Sequence, residues 1–183
     1  MAMEGDVMDA RMRGFTLVET VLTTALVAVF AAVAVPAFSG LLERQRASAA
    51  MGTLSTQMQL ARMAAITYRR PAVLCPSRSG ATCDTGTDWS GGWMLFLDRD
   101  GNFRPDAADE ILQVESAPGP SRLRVVSTTG RLRVRYLPDG RSAGSNITIS
   151  VCSAEGSLLG AVIVNNMGRP RSFRPAAPAP CPA

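Results

Sequence analysis

From Thr20 to Leu42 the chain carries no ionisable side chain, and most of its residues are Ala, Val, Leu or Phe. At about 1.5 Å per residue, such a run is long enough as a helix to cross a hydrocarbon layer about 30 Å thick. A lone carboxylate, Glu19, stands at its entrance, where a charge in lipid is expensive. Ahead of it lies a short polar leader ending in Arg13-Gly14, followed by Phe15. An ordinary secretory signal places its small residues after the apolar stretch, whereas here the Gly-Phe junction precedes it.

That arrangement resembles the prepilin signal of type IV pilins and type II secretion pseudopilins. The resemblance implies cleavage between Gly14 and Phe15 by an inner-membrane prepilin peptidase, with methylation of Phe15 as the new first residue. Glu19 then becomes the fifth residue, which that family uses to meet the amino terminus of a neighbouring subunit during filament assembly. A buried carboxylate is tolerated when a positive group pairs with it, which suits that role. The leader, residues 1–14, holds Glu4, Asp6 and Asp9 against Arg11 and Arg13, and a start at Met8 or Met12 would make it basic like most pilin leaders.

Beyond the apolar run about 140 residues remain, enough for one domain with a core. They hold 17 arginines against 11 acids and no lysine, so this portion is basic and suited to polyanions. The chain has no histidine. That removes His-based acid–base work, Ser-His and Cys-His nucleophile pairs and the usual His metal sites. No phosphate-cradling glycine loop of the Walker or dinucleotide type is present. The expectation is a non-enzyme without a cofactor or metal.

Four cysteines, Cys75, Cys83, Cys152 and Cys181, all lie beyond the apolar run. An even number in an oxidising compartment reads as two disulfides, with three pairings open. Proximity favours Cys75–Cys83 as a loop staple and Cys152–Cys181 as a clip on the C-terminal segment. A four-cysteine zinc site is the rival, but the close CxxC pairs such sites favour are missing.

The helix is expected to continue to about Tyr68. Ala47, Met51, Leu54, Met58, Ala61 and Ala65 fall on one stripe, with Arg44, Gln45 and Arg62 on other faces. Pro36 is expected to kink or locally open it. After Arg70-Pro71 the pattern changes to short apolar or alternating runs separated by Gly, Pro and Asp. The expected strands are Ala72–Pro76, Trp93–Leu97, Ile111–Glu115, Leu123–Ser127, Leu132–Leu137, Ile147–Cys152 and Ala161–Asn165. A long N-terminal helix followed by an antiparallel β-sheet head gives an α+β chain in the order of the type IV pilin fold. The implied organisation is a leader (1–14), a transmembrane half-helix (15–42), a helix packing on the head (43–70), the head (71–167) and an Arg/Pro-rich C-terminal tail (168–183).

Several head segments narrow the resemblance. Val73-Leu74-Cys75-Pro76-Ser77, Trp89 through Asp98, Asp109-Glu110-Ile111-Leu112, Tyr136 through Arg141 and Val164 through Arg169 look, in that order, like the GspH/FimT family of minor pilins and pseudopilins. Within it, Gly168-Arg169-Pro170-Arg171 resembles the GRxR element of FimT-type minor pilins, which bind DNA during natural transformation. The resemblance implies that Arg169 and Arg171 contact double-stranded DNA, with Arg174 adding charge nearby. Guanidinium groups would grip phosphates bidentately, without sequence preference and with steep salt dependence. A solvated Pro/Ala/Arg tail is the plainer account of the same residues.

Arg131, Arg133 and Arg135 would share one face of a strand and form a secondary basic patch, with Arg122 and Arg124 alike one strand earlier. A solvated sheet face with Leu132 and Val134 inward is the favoured account of them. Asp98, Asp100, Asn102, Asp106 and Asp109 invite comparison with a calcium loop, but Gly101 stands fourth where the EF-hand wants glycine sixth. A polar hairpin turn is the favoured account. Trp89 and Trp93 read as core rather than as a base-stacking pair.

The resemblance therefore implies an inner-membrane, single-pass protein with a periplasmic head that enters a pilus or pseudopilus among other pilin subunits. DNA capture for transformation is the favoured role. A minor pseudopilin of type II secretion, or a pilus-tip priming subunit without a ligand, are the alternatives.

Overall fold

The computed structural model describes residues 14–116 and 123–182, so the leader up to Arg13 and Arg122 lie outside the described residues. The chain forms two compact units, Met1–Gly40 and Leu41–Ala183.

The first unit is the leading part of helix α1, which spans Leu17–Tyr68. The Glu19 amide donates to Thr16 Oγ1 at 3.2 Å, so Thr16 caps one of the helix's orphan N–H groups and Glu19 sits in the first turn, where the dipole favours an acid. The hydroxyls of Thr20, Thr23 and Thr24 each donate back to carbonyls three or four residues earlier. Their polarity is satisfied within the helix, so the run is as apolar as its neighbours suggest. Phe15, Val18, Val27, Phe30 and Val33 are exposed, and the segment is long and apolar enough to cross a membrane. Helical geometry continues through position 36, where opening of the helix was expected. A proline removes one i→i−4 hydrogen bond and leaves the bonds of the flanking turns available.

The second unit packs the remainder of α1 against two four-stranded antiparallel sheets. One has the order β3-β2-β1-β5, with β1 Ala72–Pro76, β2 Gly92–Leu97, β3 Glu110–Ser116 and β5 Val134–Tyr136. The other has the order β4-β6-β7-β8, with β4 Arg124–Ser127, β6 Ile147–Cys152, β7 Leu158–Val164 and β8 Pro170–Phe173. The stripe of Ala47, Met51, Leu54, Met58, Ala61 and Ala65 is buried as expected, and it meets side chains of both sheets in one core. The small residues allow a close approach; at Gly160 an added Cβ would come within 2.8 Å of the Met51 methyl carbon.

The central strands β1 and β2 of the first sheet are buried on both faces, while edge strand β3 is largely exposed. Ala72, Leu74, Trp93, Leu95 and Leu97 face the helix, while the alternate residues Val73, Cys75, Met94 and Phe96 form a second cluster. Cys83 and Phe103 pack against that second cluster from two loops. Cys83 is held there by the disulfide to Cys75, with 5.7 Å between the Cα atoms. Trp89 and Trp93 are both core, as expected. The Trp93 indole N–H donates to Gln57 Oε1, and Gln57 Nε2 in turn donates to Glu115 Oε2 at 3.1 Å.

Candidate nucleic-acid interface

After β7 the chain reverses through Asn165-Asn166-Met167-Gly168. The Gly168 amide donates to the Asn165 carbonyl at 2.9 Å, and the Asn166 carbonyl accepts from the Ser142 amide at 3.0 Å. Gly168 has a φ of +73°, and a Cβ there would collide with the Gly140 carbonyl oxygen and press on the Tyr136 ring at 3.1 Å. Two segments that carried the family resemblance, around Gly140 and around Gly168, are thus in direct contact.

The turn delivers the chain into β8, and here the structure departs from the sequence reading. Residues 170–173 are not tail but the edge strand of the second sheet, paired antiparallel with β7 in the register Val164↔Pro170, Ile163↔Arg171, Val162↔Ser172 and Ala161↔Phe173. Pro170 is tolerated because it opens an edge strand, where no ladder partner needs its missing N–H. Val162 and Val164 belong to the helix-facing core. Arg171 and Phe173, opposite Ile163 and Ala161, therefore lie on the other face, and Arg169 immediately precedes the strand.

Arg169 and Arg171 are exposed, and among the described residues no acid pairs with either. Phe173 is 48% exposed beside Arg171, and Met167 is 62% exposed in the turn before Arg169. Sequence reasoning overlooked Phe173; its i+2 spacing from Arg171 was the available signal. Arg124, in β4, is exposed and lies on the same sheet face, since its neighbour Val125 is core. It is separated from β8 by β6 and β7, about 14 Å across the strands, and is offset along them, since Arg124 stands level with Leu158 while Arg171 pairs with Ile163. Arg174 instead turns to α1, where it donates to Ser48 Oγ at 2.8 Å. With Arg44, Ser48, Met51 and Leu158 it lines an open cleft of about 600 Å³.

The segment after β8 is also held. Cys181 is bonded to Cys152, the Leu158 amide donates to the Ala179 carbonyl at 2.8 Å, and the Cys181 amide donates to the Gly156 carbonyl at 2.7 Å. Both expected disulfides are present.

The secondary patch does not form as expected. β5 begins only at Val134, so Arg131 and Arg133 precede it. Arg131 donates to Ser142 Oγ at 2.7 Å and to the Ala143 carbonyl, and Arg133 donates to the Phe103 carbonyl. Burial, reinforced by Arg135 and opposed by Tyr136, holds the Arg131 guanidinium below its ordinary pKa. Arg135 lies over the Phe103 ring, 4.2 Å from its centroid. These guanidiniums fasten loops to the head rather than sharing a solvent face.

Comparisons with known proteins agree with this architecture. The family described as type II transport protein GspH matches residues 50–168. The pilin-like protein PilA1 of Thermus thermophilus is 29% identical over 163 residues, covering 87% of this chain and 97% of that protein. The type IV minor pilin FimU of Pseudomonas aeruginosa superposes with a TM-score of 0.58 at 17% identity, over 76% of this chain and 98% of FimU. The minor pseudopilin EpsH of the Vibrio cholerae type II secretion system gives 0.52 at 10% identity, over 72% of this chain and 99% of EpsH. With the family match spanning most of the head and the long apolar helix leading into it, the chain belongs to the GspH/FimT family of minor pilins and pseudopilins.

Proposed function

We propose that this minor pilin captures double-stranded DNA on β8 as part of a type IV pilus that serves natural transformation. In this reading, prepilin peptidase cleaves between Gly14 and Phe15 in the inner membrane. The apolar half of α1 holds the periplasmic head there, and Glu19 meets the amino terminus of the next subunit as the filament grows. The observation that carries DNA capture is the pair of exposed guanidiniums of Arg169, just before the edge strand, and Arg171, on it, with the strand fixed by the Gly168 turn before it and the Cys152–Cys181 bond after it. Both anchors reduce the conformational entropy lost on binding. Arg124 adds positive charge to the same sheet face, and Phe173 gives Arg171 an exposed apolar neighbour.

Membership of a type II secretion pseudopilus is the second reading, favoured by the description of the matching family. Its match stops at Gly168, before both arginines, so it bears on assembly and not on β8.

Fluorescence anisotropy of labelled duplex DNA, with the oxidised head from Glu43 onward, separates the two. Wild type should bind with micromolar-range affinity that weakens with salt. Arg169→Ala/Arg171→Ala should bind far more weakly, with a salt slope shallower by about 2. Absence of binding by wild type at low salt would leave an assembly subunit without a nucleic-acid ligand.

A further inference from the structure

The loop between β2 and β3 carries Asp98, Asp100, Asn102, Asp106 and Asp109. It folds back so that carboxylate oxygens of Asp98, Asp100 and Asp109 all lie within 4.8 Å of one another. That separation suits oxygens sharing one calcium ion, because two ligands each about 2.4 Å from a common centre are at most about 4.8 Å apart.

A second feature makes this more than a group of surface acids. Asp98 is fully buried. Its Oδ1 accepts from the Gly101 amide at 2.9 Å, but its Oδ2 is buried without a hydrogen-bond partner. Leaving a carboxylate oxygen in that state is costly unless a cation compensates it. The nearby arginines do not supply one. The Arg99 side chain pairs with Glu110 at 3.6 Å, and Arg133 is taken by the Phe103 carbonyl.

Counting from Asp98, the side-chain oxygens fall at positions 1, 3, 5, 9 and 12 of the loop, the pattern of an EF-hand calcium loop. The position that argued against calcium was the sixth, Phe103 in place of glycine. In the structure Phe103 adopts a φ of +62°, the left-handed conformation that glycine usually provides. Its ring is held by the second hydrophobic cluster and by Arg135, so packing enforces the turn that the residue type disfavours.

We propose that the β2–β3 loop is a calcium site in which Asp98, Asp100 and Asp109 ligate the ion, while the Asn102 side-chain amide, donating to Asp100 Oδ2 at 2.6 Å and Asp106 Oδ2 at 3.0 Å, holds the loop's acids in place. All the ligands are hard oxygens and the loop is largely exposed, which suits calcium better than the smaller, stricter magnesium. Bound calcium would clamp the loop whose Phe103 covers the outer face of the first sheet. β8 takes no part in the site.

The test uses the full chain in detergent, stripped with chelator and titrated with CaCl2 by calorimetry, alongside thermal unfolding with CaCl2 or MgCl2. One calcium per chain should bind with Kd of about 0.1–1 mM, the range of extracellular modules. The melting temperature should rise, with less effect from magnesium. Asp100→Asn and Asp109→Asn should each weaken binding at least about tenfold, the equivalent of about 1.4 kcal/mol. Asp100 is exposed, so its variant stays informative even where Asp98→Ala fails to fold. Three results would each overturn the proposal: no binding heat and no melting shift up to about 10 mM calcium, an Asp100→Asn variant that binds like wild type, or magnesium matching calcium.

Discussion

At Gly168 the backbone turns with φ +73° within van der Waals reach of the Gly140 carbonyl, so a side chain there meets a steric and a conformational penalty together. Gly168→Ala should destabilise the head by about 2–3 kcal/mol, read as a lower urea midpoint at unchanged slope. If the head binds DNA as proposed, affinity should fall with it, because this turn sets how Arg169 leads into β8. Tyr136, which faces the same turn, makes the opposite case. Its hydroxyl is buried without a partner, and burial, opposed by Arg62 and Arg131, pushes its pKa far above the ordinary tyrosine range. Tyr136→Phe removes an unsatisfied polar atom and leaves the ring, so stability should change by less than about 1 kcal/mol, in either direction, in the same urea experiment.

Among the elements, β8 depends on long-range partners. Cys152→Ser/Cys181→Ser opens a bond between residues 29 apart in sequence and should lower stability by about 3–4 kcal/mol. Hydrogen exchange should show β8 amides losing protection before those of β6, since β8 is an edge strand. These dependences explain what the sequence could and could not reveal. β1 and β6 were legible to the residue, because their apolar runs are bounded by clear turn signals. β7 begins earlier than the sequence suggested, at Leu158, and β5 is shorter, because Arg131 and Arg133 bind loops instead of extending a ladder. β8 was invisible, since two of its four residues are proline and arginine and the surrounding composition is that of a solvated tail. Only its register with β7 makes it a strand, and pairing of that kind leaves no local periodicity. The two arginines were legible as a motif, but not their rigid setting or the exposed Phe173 next to them.

For the whole molecule, the two units differ in character, one an exposed apolar helix and the other a packed two-sheet head. The helical part of the leading unit presents apolar side chains, with threonine hydroxyls turned inward to its own carbonyls, and one carboxylate, Glu19, in its first turn. Glu19→Ala should leave the head folded and leader cleavage intact but remove the subunit from sheared filaments, as followed by immunoblot of filament and membrane fractions. Cleaved protein found in filaments at the wild-type level would count against the assembly role of Glu19. The head makes a different kind of independence possible. Between the Gly168 wedge and the Cys181 bond, the four residues of β8 are mostly exposed and contribute little to the core. They form an interchangeable cassette. Rewriting Arg171 and Phe173 within strand-compatible sequences, with Pro170 and Ser172 kept opposite Val164 and Val162, would give the same scaffold a new surface chemistry, by evolution or by grafting.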